Sequence, residues 1–96
     1  MSVVEITAFQ LAEGADEVAF VASDRRVQTE LVPNQPGFLR RTTARRGGDW
    51  MIVTLWWSEA DAVAFEATAA GHPVQVEFEA HIKPGTIRSK RFDTLD

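Results

Sequence analysis

The segment formed by residues 50–57 is the most hydrophobic stretch of the chain, and it constrains the fold more than any other segment. Its sequence, WMIVTLWW, has apolar side chains at both odd and even positions. Successive residues of a strand point to opposite faces of a sheet, so either register leaves Trp, Ile, Val or Met on each face. The sequence therefore predicts a sheet that must be covered on both sides.

The other segments predict the element order strand, helix, strand, strand, helix, strand. The predicted strands are residues 3–11, 38–46, 50–57 and 86–92, and the first predicted helix is residues 15–32. Ser58, with Asp61 three residues later, predicts the start of the second helix, which runs to about Ala70 and is followed by a shorter helix after Gly71-His72-Pro73. This order predicts an α+β, ferredoxin-like βαββαβ fold with a four-stranded antiparallel sheet, formed by residues 1–96 as a single domain.

The predicted helices raise two packing questions. The first helix has one apolar stripe that suits its own sheet and a second, including Val18 and Val21, that packs on a second subunit or stays partly exposed. In the second helix, small residues are expected to face the sheet, with Phe65 on nearly the opposite side. Those small residues are Ala60, Val63, Ala64 and Ala67.

Composition excludes several classes of site. The chain has no cysteine and no tyrosine, and only two histidines, His72 and His81, so disulfide scaffolds, thiolate metal sites and cysteine nucleophiles are excluded. No histidine pair has metal-ligand spacing, and we predict that neither a metal nor a cofactor is bound. No apolar run is long enough to span a membrane and no secretory leader is visible, so a cytoplasmic protein without membrane contacts is expected.

Nucleic-acid binding is a competing hypothesis, because RNA-recognition domains share this element order and stack bases on strand aromatics. Those domains carry a Lys/Arg-Gly-aromatic signature on the third strand. The third predicted strand instead begins Trp50-Met51-Ile52-Val53-Thr54, and the formal net charge of the chain is −4. We therefore predict no nucleic-acid partner.

Three short motifs, in this order, resemble the antibiotic biosynthesis monooxygenase-like domains, a family of dimeric α+β barrels. Pro36-Gly37-Phe38-Leu39 leads into the second strand, Trp57-Ser58-Glu59-Ala60 joins the third strand to a helix, and His72-Pro73 begins an aromatic-bearing helix. The resemblance covers nearly the whole chain. It implies a homodimer in which two sheets face each other, and a pocket in each subunit between the sheet and the helices.

The family includes cofactor-free oxygenases of aromatic polyketides and quinols, and haem-degrading monooxygenases. The haem-degrading branch uses an Asn, a Trp and a His, whose places fall near Thr7, Phe65 and His81 here. Two of these three positions depart from the pattern, so the resemblance does not extend to haem degradation. The polyketide oxygenases use Trp, Asn, Tyr and Arg, whereas this chain has no tyrosine and its single asparagine, Asn34, lies in a predicted turn.

The expected pocket is mostly apolar. Trp56 and Trp57 are adjacent on a strand, so only one of them faces the pocket, and the sequence does not decide which. His81 is the single candidate acid or base, although a helix-end histidine bonded to the backbone is the ordinary structural alternative. The candidate ligand-binding residues are Thr7, Phe9, Arg40, Trp56, Trp57, Phe65 and Phe78.

Glu5 shares a strand face with Thr7 and needs a partner if that face is covered, because a buried carboxylate is costly without one. Arg40 or Arg88 is the expected partner, either in a structural ion pair or in a pair that orients a substrate. Two functions remain open. One is a cofactor-free monooxygenase acting on a small aromatic, and the other is a non-catalytic dimeric small-molecule-binding or accessory domain.

Overall fold

The computed structural model describes residues 2–95 and has the predicted α+β architecture. Four strands form one antiparallel sheet in the order β2-β3-β1-β4, and the helices lie on one of its faces. The strands are β1 (Val3–Phe9), β2 (Phe38–Arg46), β3 (Asp49–Trp56) and β4 (Arg88–Asp93). The helices are α1 (Glu17–Arg26), α2 (Glu59–Ala69) and α3 (Pro73–Glu79). The ferredoxin-like prediction is thus confirmed, with strand ends shifted by one or two residues.

The first α-helix is shorter than predicted, and the chain continues beyond it as a wider, π-helical turn. An Asp16 side chain caps α1 by accepting hydrogen bonds from the amides of Val18 and Ala19. After α1 the chain forms a π-helical turn, Val27–Leu31, closed by the amide of Val32 on the carbonyl of Val27 at 3.1 Å. This i to i+5 bond sets Val32 above Val27, and both side chains are buried.

The side of α2 that faces the sheet differs from the prediction. Ala62 and Ala69 are buried, and Phe65 between them packs on Trp56 with ring centroids 5.0 Å apart. Ala62, Phe65 and Ala69 are spaced i, i+3 and i+7 and so form one stripe of the helix, which faces the sheet. The small residues that were expected to face the sheet are exposed instead. Turning Phe65 toward Trp56 takes a large aromatic ring out of water, which would have stayed exposed had the small residues faced the sheet.

The two faces of the sheet are chemically distinct. Facing the helices, the core gathers aromatic and branched side chains, among them Phe9, Phe20, Trp50 and Phe78. On the opposite, open face, the two central strands present only apolar side chains in three cross-strand pairs. These pairs are Val4–Leu55, Ile6–Val53 and Ala8–Met51.

Candidate functional site

A cavity of about 670 Å³ lies between the helix-covered face of the sheet and helices α2 and α3. Strands β1, β3 and β4 form its floor, and the two helices form its roof. Its size falls within the roughly 300–1,000 Å³ typical of small-molecule sites. The predicted position between sheet and helices is therefore where this structure has room for a ligand.

Four large aromatic side chains line the cavity. Trp56, which is 1% exposed, packs against both Phe65 and Phe38, with ring centroids 5.0 and 5.8 Å away. Phe9 and Phe78 meet edge to face at 6.1 Å. The cavity is thus lined by aromatic side chains from β1, β3, α2 and α3, and an apolar lining of this kind suits an aromatic ligand.

The structure brings five of the sequence-predicted site residues to this cavity and places three elsewhere. Those that line it are Thr7, Phe9, Trp56, Phe65 and Phe78. Trp57 is 69% exposed outside it, because adjacent strand residues point to opposite sides. His81 lies outside as well, its Nδ1 3.0 Å from the carbonyl oxygen of Glu77 and its ring edge-on to Phe20.

Arg40 is placed on the open face by a β-bulge. The register shifts between Phe38 and Arg40, so that Phe38 opposes Trp56 whereas Arg40 opposes Leu55. Strict alternation from Phe38 would turn Arg40 toward the helices. The extra residue instead turns Arg41 inward, and Arg41 lines the cavity.

A row of polar side chains crosses the cavity floor from one sheet edge to the other. Arg41 opposes Thr54, Thr54 opposes Glu5, and Glu5 opposes Arg91. All four line the cavity, and each neighbouring pair belongs to adjacent strands about 4.8 Å apart. In the next row toward Phe9, the hydroxyls of Thr7 and Ser89 are hydrogen-bonded at 2.8 Å.

Arg41 is neutralised within the fold. Its Nη2 donates to Oδ1 of Asp24 on α1 at 2.8 Å, and its Nη1 donates to Gln28 at 3.3 Å. The guanidinium also lies over the ring of Phe78, 5.7 Å from its centroid. The Arg41 side chain is only 4% exposed, so this pair holds β2 against α1 rather than presenting a free cation to a ligand.

Glu5 is paired with Arg91, not with Arg40 or Arg88 as expected. Arg91 Nε donates to Oε2 of Glu5 at 2.7 Å, and its Nη2 donates to Glu66 of α2 at 2.6 Å. The hydrogen bond to Glu5 raises the pKa of Arg91 above the ordinary arginine value, with smaller help from Glu66, while partial burial opposes it. Arg40 and Arg88 lie on the open face, where they cannot reach Glu5.

His72 has a structural role at the helix junction after α2. Its Nδ1 accepts a hydrogen bond from the amide of Val74 at 3.2 Å and so caps α3. Within residues 2–95, no group of three or more His, Asp or Glu side chains is arranged to hold a metal ion. None of the helices described in that range is long and apolar enough to cross a membrane.

Comparison with known proteins identifies the fold. No family model and no curated protein sequence matches the chain. SnoaB, a cofactor-independent oxygenase from Streptomyces nogalater, superposes with a TM-score of 0.81 at 17% identity, covering 99% of this chain and 94% of that one. A Bordetella bronchiseptica protein, provisionally named an antibiotic biosynthesis monooxygenase, has a TM-score of 0.81 at 14% identity and coverages of 98% and 97%. The resemblance to antibiotic biosynthesis monooxygenase-like domains is thus confirmed as a likeness of fold.

Proposed function

We propose that this protein is a cofactor-independent monooxygenase that oxidises a small aromatic, of the quinol or polyketide type, in the cavity between sheet and helices. The observation that carries the proposal is the aromatic lining of that cavity by Phe9, Trp56, Phe65 and Phe78. The fold shared with a cofactor-independent oxygenase agrees with it. Function belongs to the site rather than to the fold, so the cavity is the main support.

The chemistry divides between the substrate and the protein. An electron-rich arene that has lost a proton can itself reduce dioxygen; one oxygen atom enters the ring system as a carbonyl and the other leaves as water. The two hydrogen atoms of that water come from the substrate: both come from the reacting carbon where it is a methylene, as in an anthrone, and one comes from a ring carbon and one from a hydroxyl group in a phenol. The protein holds the arene between aromatic walls, excludes bulk water and provides polar groups at one edge of the ring.

The proposed assembly is a homodimer built on the open face of the sheet. The apolar side chains of β1 and β3 on that face form one continuous patch, and such patches rarely stay bare in water. Arg40 on β2, together with Arg88 and Lys90 on β4, borders the patch and has no ion pair within residues 2–95. A second copy of the chain covers such a face with two-fold symmetry.

Dioxygen consumption against a panel of quinols and anthrones tests the activity. We expect uptake that depends on substrate and enzyme, with one equivalent of dioxygen per carbonyl formed, and no gain when iron or flavin is added. Uptake that appears only with an added metal or flavin contradicts the proposal. Saturable binding of the same arenes without any uptake favours the non-catalytic binding domain.

A further inference from the structure

One carboxylate oxygen on the cavity floor receives no hydrogen bond from the described residues. Oε2 of Glu5 accepts the hydrogen bond from Arg91, whereas nothing within residues 2–95 donates to Oε1. Glu5 lies on a central strand, lines the cavity and has a side chain that is 21% exposed. A partly buried carboxylate with a free oxygen accepts a strong hydrogen bond from a suitable donor that enters the cavity.

Arg91 fixes the position of that oxygen without attracting anions itself. Its guanidinium is shared between Glu5 and Glu66, so two carboxylates already balance one positive charge. The cavity lining contains four carboxylates and only two guanidinium groups, those of Arg91 and Arg41. The guanidinium of Arg41 is neutralised by Asp24. The cavity is therefore acidic, and it disfavours a ligand with a negative charge.

Resting on the proposed function, we infer that the ligand is a neutral hydroxyarene whose hydroxyl group donates a hydrogen bond to Oε1 of Glu5. Glu5 then determines specificity, and Arg91 positions it. On the same face of the sheet, the row beyond Thr54 carries Trp56, and the row beyond Thr7 carries Phe9. A planar ring lying across the floor contacts these aromatic walls while its hydroxyl reaches the polar row.

This arrangement predicts discrimination by the hydroxyl group. A site that offers a partly buried acceptor disfavours an analogue without the donor, because the acceptor loses its water and gains nothing in return. A methyl ether of the same arene lacks the hydrogen-bond donor and should therefore bind more weakly. A carboxylate in place of the hydroxyl adds repulsion from Glu5 and from the acidic lining.

The test compares three probes of equal ring size, 2-naphthol, 2-methoxynaphthalene and 2-naphthoate, by equilibrium binding at pH 7. We expect 2-naphthol to bind about tenfold or more tightly than the ether, as a hydrogen bond to a charged acceptor implies, and 2-naphthoate to bind least. Equal binding of all three, or tightest binding of 2-naphthoate, overturns the inference and leaves the proposed aromatic pocket standing. Failure of every probe to bind overturns both.

A pair of variants assigns the effect to one carboxylate. In Glu5→Gln, the affinity for 2-naphthol should fall several-fold toward that of the ether, because an amide oxygen accepts a weaker hydrogen bond than a carboxylate, while binding of the ether stays unchanged. Glu77→Gln is the matched control, because it removes the carboxylate of an exposed ion pair with Arg26 that lies outside the cavity lining, and it should keep the preference. Loss of the preference in both variants overturns the assignment to Glu5. The wild-type comparison needs no variant, so it tests the preference for a neutral hydrogen-bond donor even if Glu5→Gln does not fold.

Discussion

Gly37 faces the side chain of Asp61 so closely that a Cβ atom at position 37 would lie 2.6 Å from the Cβ of Asp61 and nearer still to its carboxyl group. The same glycine has φ +78° and accepts, through its carbonyl, a 2.8 Å hydrogen bond from the amide of Trp57. Asp61 in turn accepts a hydrogen bond from the hydroxyl of Ser58, the residue that caps α2. This corner therefore sets where α2 starts, and α2 forms part of the cavity roof.

Gly37→Ala should lower the free energy of unfolding by about 2 kcal/mol or more, because both the left-handed backbone and the contact with Asp61 oppose a methyl group. Gly71→Ala is the matched control, since Gly71 has the same φ of +78° and a Cβ added there would meet no atom within 4 Å. Gly71→Ala should lower the free energy of unfolding by only about 1 kcal/mol, because it carries the cost of the left-handed backbone without a steric contact. Urea denaturation measures both, and equal losses would contradict the close approach.

Asp24→Ala should destabilise the protein by about 3 kcal/mol, because Arg41 is left as a buried cation without its counter-charge. The variant also removes the acceptor of the Thr43 hydroxyl, which bonds Asp24 at 2.8 Å. Glu30→Ala is the control, since the Arg26–Glu30 pair is solvent-exposed and its loss should leave the unfolding curve nearly unchanged. Similar midpoints for both variants would show that the buried pair does not support the fold.

Much of the fold follows from patterns that lie within single segments. The continuous apolar run of residues 50–57, the turn at Gly47-Gly48 and the cap at Ser58 fix β3, its hairpin and α2. The opposite facing of Trp56 and Trp57 also follows from strand geometry. Strand geometry does not decide which of the two faces the cavity, because both side chains are tryptophan. That choice depends on which face of the sheet the helices cover.

The partner of Glu5 depends on a register that no local pattern sets. Strand β4 reaches β1 through α3 and the turn at Pro84-Gly85, so no hairpin fixes its alignment. A slip of one residue would exchange Arg91 for a neighbour on the other face. The bulge at Leu39, which turns Arg41 inward in place of Arg40, is likewise set by the paired strand rather than by its own sequence.

The proposed homodimer predicts sedimentation at micromolar concentration as a species of twice the 10.7 kDa chain mass. Val53→Lys places a charge at the centre of the open face, opposite Ile6, and should yield the monomer. Val18→Lys is the control, because Val18 lies on α1 and is 80% exposed. A wild-type monomer rejects the homodimer, and dissociation by Val18→Lys alone would move the interface to the outer stripe of α1.

Tryptophan fluorescence should report binding in the cavity through one indole. A planar quinone that enters between the aromatic walls lies against Trp56 and should quench its emission on contact. Trp56→Phe should therefore remove most of the ligand-dependent quench, and it should leave the fold intact because the smaller ring keeps the contacts with Phe38 and Phe65. Trp57→Phe, at the exposed neighbouring position, should preserve the quench. The reverse pattern would place the ligand outside the cavity, at the end of the sheet where Trp57 lies.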